Sequence, residues 1–137
     1  MHSQNRSNRA KKKIYTVATS HLDTIWSWDF ETTVSKYIYD TLVDNFALFK
    51  KYPHYTFSFE GSYRYELMEE YYPELFEELK GYIADGRWNV AGSAFENGDV
   101  NCPSPEALFR NILIGNTYFD EKFSKRSKDI FLPDCFR

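Results

Sequence analysis

The sequence predicts an α/β fold made of parallel β/α units. Three observations carry that expectation. Four short β-rich stretches, IYTVAT, YTFSFE, WNVAGSAF and DIFLPD, are spread along 137 residues. The segments between them repeat their apolar residues at helical spacing and carry helix punctuation. Strands that alternate with long helices pair in parallel, because a parallel neighbour requires a crossover connection.

Ile14 to Thr19 is β-rich and mostly apolar, as in a buried strand. A helix is expected from about Thr32 to Lys51, where Val34, Ile38, Leu42 and Phe46 recur every four residues and Pro53 stops it. Tyr55 to Glu60 alternates with period two and reads as the second strand. Gly61-Ser62 then leads into another helical region. Pro73 splits that region or opens a new helix, whose face is Leu75, Leu79 and Ile83 and whose end is Asp85-Gly86. Trp88 to Phe95 reads as the third strand, with Gly92 as a bulge. A loop from Glu96 to Pro103 follows. Ser104-Pro105-Glu106 has the form of a helix start: a capping hydroxyl, a proline at the first position and an acid in the first turn. That helix should run to about Phe123. Lys125 to Lys128 is a solvated turn, and Asp129 to Asp134 the fourth strand.

The formal charge is -3, so a globally basic nucleic-acid binder is not expected. The first 12 residues, polar and basic without apolar periodicity, read as a flexible tail. They contain no apolar segment of a secretory signal, and no run reaches the roughly 18 apolar residues of a membrane span. Only Cys102 and Cys135 are present, too few for a disulfide framework, so reduced thiols in a cytoplasmic protein are expected. Aromatic residues make up 19% of the chain; they fill a core or line a cleft for flat apolar surfaces such as sugar rings, and core packing is the commoner use.

Parallel β/α units put functional residues beyond the strands' C-terminal ends. Those ends hold His21, Asp23 and Trp26, then Glu60 and Tyr63, then Glu96, Asn97 and Asp99, and finally Asp134. His21 and Asp23 are two residues apart, so in extended backbone both side chains face the same way. An imidazole and a carboxylate converging on one point suit Zn²⁺; the same pair can also simply hydrogen-bond. Asp134 is the natural third arm, or an Asp that turns the chain. Trp26 and Trp28 lie at the site edge, where stacking on a ligand is credible. His54 and Trp88 lie at the opposite edge, as a turn residue and a core residue.

HLDTIW resembles the His-x-Asp-x-x-Trp motif of glycoside hydrolase family 38, the α-mannosidases. FSFEGSYRYE, GRWNVAGSAFENGDVNCPSPEAL and LPDCF resemble three further segments of that family in the same order, so the resemblance covers Lys13 to Phe136. It implies a (β/α)7 barrel, of which this chain would supply about the first four strands. It implies a zinc-dependent retaining exo-mannosidase acting on mannose-containing oligosaccharides. By position, His21 and Asp23 would be zinc ligands, Asp134 both ligand and nucleophile, and Trp26 a platform for the terminal mannose. The family's Asp-x-Phe is usually followed by Gly, whereas Arg137 follows here. The family's remaining histidine ligand and acid/base carboxyl lie further along than residue 137. Residues 13–137 are therefore expected to be the N-terminal portion of a catalytic domain, inactive alone. Two other readings stay open. One is a polysaccharide deacetylase-like metal hydrolase, which would usually show an H-x-x-x-H pair absent from this sequence; the other is a non-catalytic remnant.

Overall fold

The computed structural model describes residues 12–134. Strands β1 (Ala18–Ser20), β2 (Phe57–Glu60) and β3 (Trp88–Ala91) form one parallel sheet in the order β1-β2-β3. The register places Ser20 beside Phe59 and Glu60 beside Ala91, so all three strands end at one edge. The connections are helical. Between β1 and β2 the chain forms a short helix α1 (Phe30–Thr32), a π-helical stretch (Thr33–Ile38) and α2 (Tyr39–Lys51). Helices α3 (Ser62–Tyr71) and α4 (Pro73–Ala84) join β2 to β3, and α5 (Pro105–Phe123) follows β3.

Local chemistry explains these boundaries. Asp29 starts the first helical segment, its Oδ1 accepting from the Thr32 N–H at 2.8 Å. Pro73 opens α4, where its missing N–H costs nothing. Gly86 follows α4 with a left-handed φ of 72°. Ser104 caps α5 by accepting from the Ala107 N–H at 3.2 Å. No helix among the described residues is long and apolar enough to cross a membrane.

The aromatic residues mostly build the core. Trp88, Tyr65, Phe49, Phe59, Phe76 and Phe119 are fully buried between the sheet and its helices. Burying one Phe side chain is worth about 1.5–3 kcal/mol, so this cluster is the fold's main apolar contribution. Its polar atoms are satisfied: the Trp88 indole donates to Tyr65 Oη at 2.9 Å, and Tyr65 Oη donates to the Phe59 carbonyl at 2.8 Å. Burial pushes the Tyr65 hydroxyl's pKa far up, so it remains a neutral donor.

The structure corrects the sequence reading at the strand limits. The expected first strand, Ile14 to Thr19, pairs only from Ala18, because Ala18 faces Phe57 and residues 14–17 run past the start of β2. The third ends at Ala91, well short of Phe95, because Gly92 turns left-handed with φ 65°. Its lack of a side chain also matters: a Cβ there would lie 2.9 Å from Phe131 Cβ and 3.1 Å from Glu60 Cβ. The expected fourth strand, Asp129 to Asp134, is not a strand. Beyond that turn, the Ser93 N–H reaches the Asp129 carbonyl at 3.2 Å, but the Gly92 N–H is taken by the Asp129 carboxylate at 3.0 Å. A side chain has replaced a ladder partner, and Pro133 has no N–H to offer. The described residues thus give a mixed α/β unit with a three-stranded parallel sheet.

Helix α5 approaches the segment after β3 at Gly115. A Cβ on Gly115 would collide with the Ser93 carbonyl oxygen and the Ala94 carbonyl carbon. Alanine normally favours a helix over glycine, but backbone at this distance has no way to yield. Gly115→Ala is expected to cost about 1–3 kcal/mol, read as a lower Tm; an unchanged or raised Tm would contradict the close approach.

Candidate functional site

The common strand edge brings three loops together. The segment after β1 carries His21 and Asp23, the end of β2 carries Glu60, and the segment after β3 carries Glu96, Asn97 and Asp99. Residues 133 and 134 close one side. His21, Asp23, Asn97, Gly98, Asp99, Pro133 and Asp134 line a cleft of about 150 Å³.

Leu22 explains how His21 and Asp23 face the cleft together. Its side chain is buried in the core, which turns the residues on either side of it outward. Its carbonyl accepts from the buried Arg64 guanidinium, from Nε at 3.0 Å and from Nη2 at 2.5 Å. Arg64 Nη1 also pairs with Glu96 Oε1, and Thr24 Oγ1 donates to Glu96 Oε2 at 2.7 Å. One guanidinium therefore ties the loop after β1 to the loop after β3. Asn111 on α5 holds the second loop from its other side: its Oδ1 accepts from the Glu96 N–H at 2.9 Å and its Nδ2 donates to the Glu96 carbonyl at 2.7 Å.

His21 is at the centre. Its Nε2 lies 3.3 Å from Asp23 Oδ1 and 3.2 Å from Asp134 Oδ2. Its Nδ1 lies 3.2 Å from Glu60 Oε1, and Glu60 is wholly buried. Glu60 Oε1 also accepts from Asn97 Nδ2 at 2.6 Å. Ligand atoms of His21, Asp23 and Asp134 all fall within 4.8 Å of one another. Asp134 adopts a left-handed φ of 58°, which the Asp side chain tolerates. The Asn101 N–H holds the Asp99 carboxyl below the usual carboxylate range at the cleft's rim.

The structure thus brings together His21, Asp23 and Asp134, the three residues expected as metal ligands. It does not bring Trp26 to them: Trp26 is 75% exposed and lies outside the cleft lining. Trp28 faces elsewhere, its indole donating to Thr33 Oγ1 at 2.8 Å and its ring packing edge-on against Tyr37. His54 sits exposed in a turn at the far edge and Trp88 in the core, as the sequence suggested. Cys102 is an exposed free thiol, Cys135 lies outside the described residues, and most of the 12-residue tail does as well.

Glu60 and Asn97 were recognisable as edge residues, but their role as partners of His21 was not. Period two could have pointed to Glu60. Phe57 and Phe59 share one face of β2, so Glu60 lies on the other, and the register sets it beside the residue after Ser20. Arg64 gave no comparable signal, since a buried arginine looks like any helical arginine in sequence.

Residues 11–136 match the family described as Glycosyl hydrolases family 38 N-terminal domain. The chain belongs to that family. Alpha-mannosidase G of Dictyostelium discoideum is 31% identical over 130 residues, covering 95% of this chain and 12% of that protein. Human Alpha-mannosidase 2C1 is 29% identical over 123 residues, covering 90% of this chain and 12% of the relative. The Alpha-mannosidase of Saccharomyces cerevisiae is 30% identical over 124 residues, with 90% and 11% covered. The family 38 chain described here therefore spans about an eighth of the length of these relatives.

Proposed function

We propose that this chain is the zinc-holding N-terminal portion of an α-mannosidase catalytic domain, residues 13–137, preceded by a polar tail of 12 residues. The observation that carries this reading is the spacing around His21. Two ligands of a tetrahedral ion at about 2.0–2.1 Å from the metal stand about 3.3 Å apart. The His21 Nε2 distances to Asp23 and Asp134, 3.3 and 3.2 Å, match that separation. Yet Nε2, though buried, makes no hydrogen bond of acceptable geometry among the described residues. A nitrogen lone pair facing two carboxylates is repulsive by itself and favourable around a cation. One imidazole and two carboxylates form a donor set suited to Zn²⁺.

In this reading His21, Asp23 and Asp134 hold the ion, which supplies charge stabilisation and a template for sugar hydroxyls when bound. Asp134 attacks the anomeric carbon of a terminal α-mannoside. A bond forms between its carboxylate oxygen and that carbon while the glycosidic bond breaks, and the leaving oxygen takes a proton from an acid/base carboxyl outside this chain. Water then releases mannose with retention. Asp134 suits this role because it is half-exposed at the cleft while His21 behind it is held by buried groups. Trp26, exposed beyond the cleft, would pack against the sugar ring as substrate or a neighbouring segment orders it. The surrounding architecture is the (β/α)7 barrel, for which the parallel β1-β2-β3 sheet supplies the opening strands. Membership in family 38 favours this reading over a deacetylase-like hydrolase.

The test is hydrolysis of an aryl α-mannoside by the full-length protein that carries this chain, before and after chelation. Activity is expected to fall to background with chelator and to return with Zn²⁺. Full activity in the chelated, metal-free protein would refute the metal reading.

A further inference from the structure

We infer that Glu60 is a positioning residue that selects the tautomer of His21, placing the single imidazole proton on Nδ1 so that Nε2 presents a lone pair to the cleft. The inference rests on the zinc reading for its purpose, and on the geometry around Nδ1 for its substance.

A neutral imidazole has one N–H, and two sets of acceptors compete for it. Asp23 and Asp134 stand at Nε2, and Glu60 at Nδ1. Were the first pair to win, the lone pair would sit on Nδ1 against Glu60, and His21 would present none to the cleft. Two features favour Glu60, and the one competing donor among the described residues is engaged more closely elsewhere. It is fully buried, whereas Asp23 and Asp134 are 38% and 57% exposed, so water weakens their pull on the proton far more. The Asn97 amide nitrogen, a donor, also stands 3.3 Å from Nδ1 and competes for its lone pair, but its shorter bond, 2.6 Å, goes to Glu60 Oε1, which leaves that carboxylate as the acceptor at Nδ1. The amide is locked in that orientation, since turning it over would set its oxygen 2.6 Å from the Glu60 carboxylate. Lastly, neither carboxylate makes a hydrogen bond of acceptable geometry with Nε2 despite the short distances.

Asn97 is itself fixed, its backbone N–H donating to Glu96 Oε1 at 2.8 Å. The arrangement therefore runs from Arg64 through Glu96 and Asn97 to Glu60 and His21. Carboxylate–imidazole–metal relays of this form orient the ring and raise its basicity. Nothing about Glu60 requires it to touch substrate.

The experiment uses long-range proton–nitrogen NMR of the imidazole in the metal-free full chain, at a pH where the spectrum shows a singly protonated ring. The wild-type protein should show a protonated Nδ1 and an unprotonated Nε2 at His21. Glu60→Leu should move the proton to Nε2 and weaken Co²⁺ binding by about 10–100-fold. Glu60→Gln retains an acceptor oxygen, so it should keep the wild-type tautomer and bind Co²⁺ within about tenfold of wild type. A wild-type His21 protonated on Nε2 overturns the inference, as does an unchanged tautomer in Glu60→Leu. Should Glu60→Leu fail to fold, the wild-type and Glu60→Gln spectra decide. Wild-type protein with the expected tautomer that binds no Co²⁺ would overturn the zinc reading and leave the tautomer assignment standing.

Discussion

Asp134→Asn in the full-length protein is expected to lower aryl α-mannoside hydrolysis by at least about a thousandfold, the scale on which loss of a catalytic nucleophile acts. The substitution is nearly isosteric, and Asp134 is half-exposed, so it disturbs little buried packing. It removes the charge proposed to attack the sugar and one of the two carboxylates beside His21 Nε2. Two measurements separate these roles. A ligand role alone would let excess Zn²⁺ restore much of the rate, whereas a nucleophile role would leave the enzyme slow at saturating metal. Full activity without added metal would remove Asp134 from both.

Arg64→Met is expected to produce the largest stability loss of any single change in the site, on the order of 3 kcal/mol. The guanidinium is 1% exposed and bonded to the Leu22 carbonyl and to Glu96. Methionine fills similar volume, so the loss measures hydrogen bonds more than packing. It leaves a carbonyl without its donor at the link between His21 and Asp23, and it takes the guanidinium partner from Glu96, the loop residue that positions Asn97. Thermal unfolding should show a lowered Tm, and Zn²⁺ affinity should fall even at temperatures where the protein stays folded. Arg64→Lys should recover little, because one ammonium cannot reproduce the fork that reaches both the carbonyl and the carboxylate. A variant with unchanged Tm and unchanged metal affinity would show that Arg64 does not organise the two loops.

Much of the fold was legible because it rests on short-range rules. Phe57 and Phe59 alternate with Ser58 and Glu60, and the apolar face is buried as that alternation implies; on the other face Ser58 is half-buried, whereas Glu60 is wholly buried because it serves the site. Ser104-Pro105-Glu106 starts α5 because the cap satisfies a backbone N–H whatever surrounds it. The error over Asp129 to Asp134 has the opposite origin. Its composition is that of a strand, but a strand exists only if a neighbour offers a matching row of backbone groups. Gly92 turns the neighbouring chain away, and the Asp129 side chain takes the N–H that a ladder would have used.

The same division holds at the site. The sequence by itself determined that His21 and Asp23 share a side, because i and i+2 alternate about Leu22, and that the polar residues gather at the strands' C-terminal edge, because parallel units place them there. The meeting of Asp134 with His21, 113 positions apart in the chain, was open to resemblance, since the ordered family segments suggested it, but not to local pattern. Only the tertiary structure decided the rest. It showed that Glu60 claims Nδ1, that Asn97 and Arg64 hold the loops in register, that Trp28 serves the helix start, and that Trp26 stands away from the cleft. The physical reason is that periodicity fixes direction along one element. Hydrogen bonds between side chains depend on the distance between elements, and that distance is set by the packing of Trp88, Phe59 and Phe119 and by the close approach at Gly115.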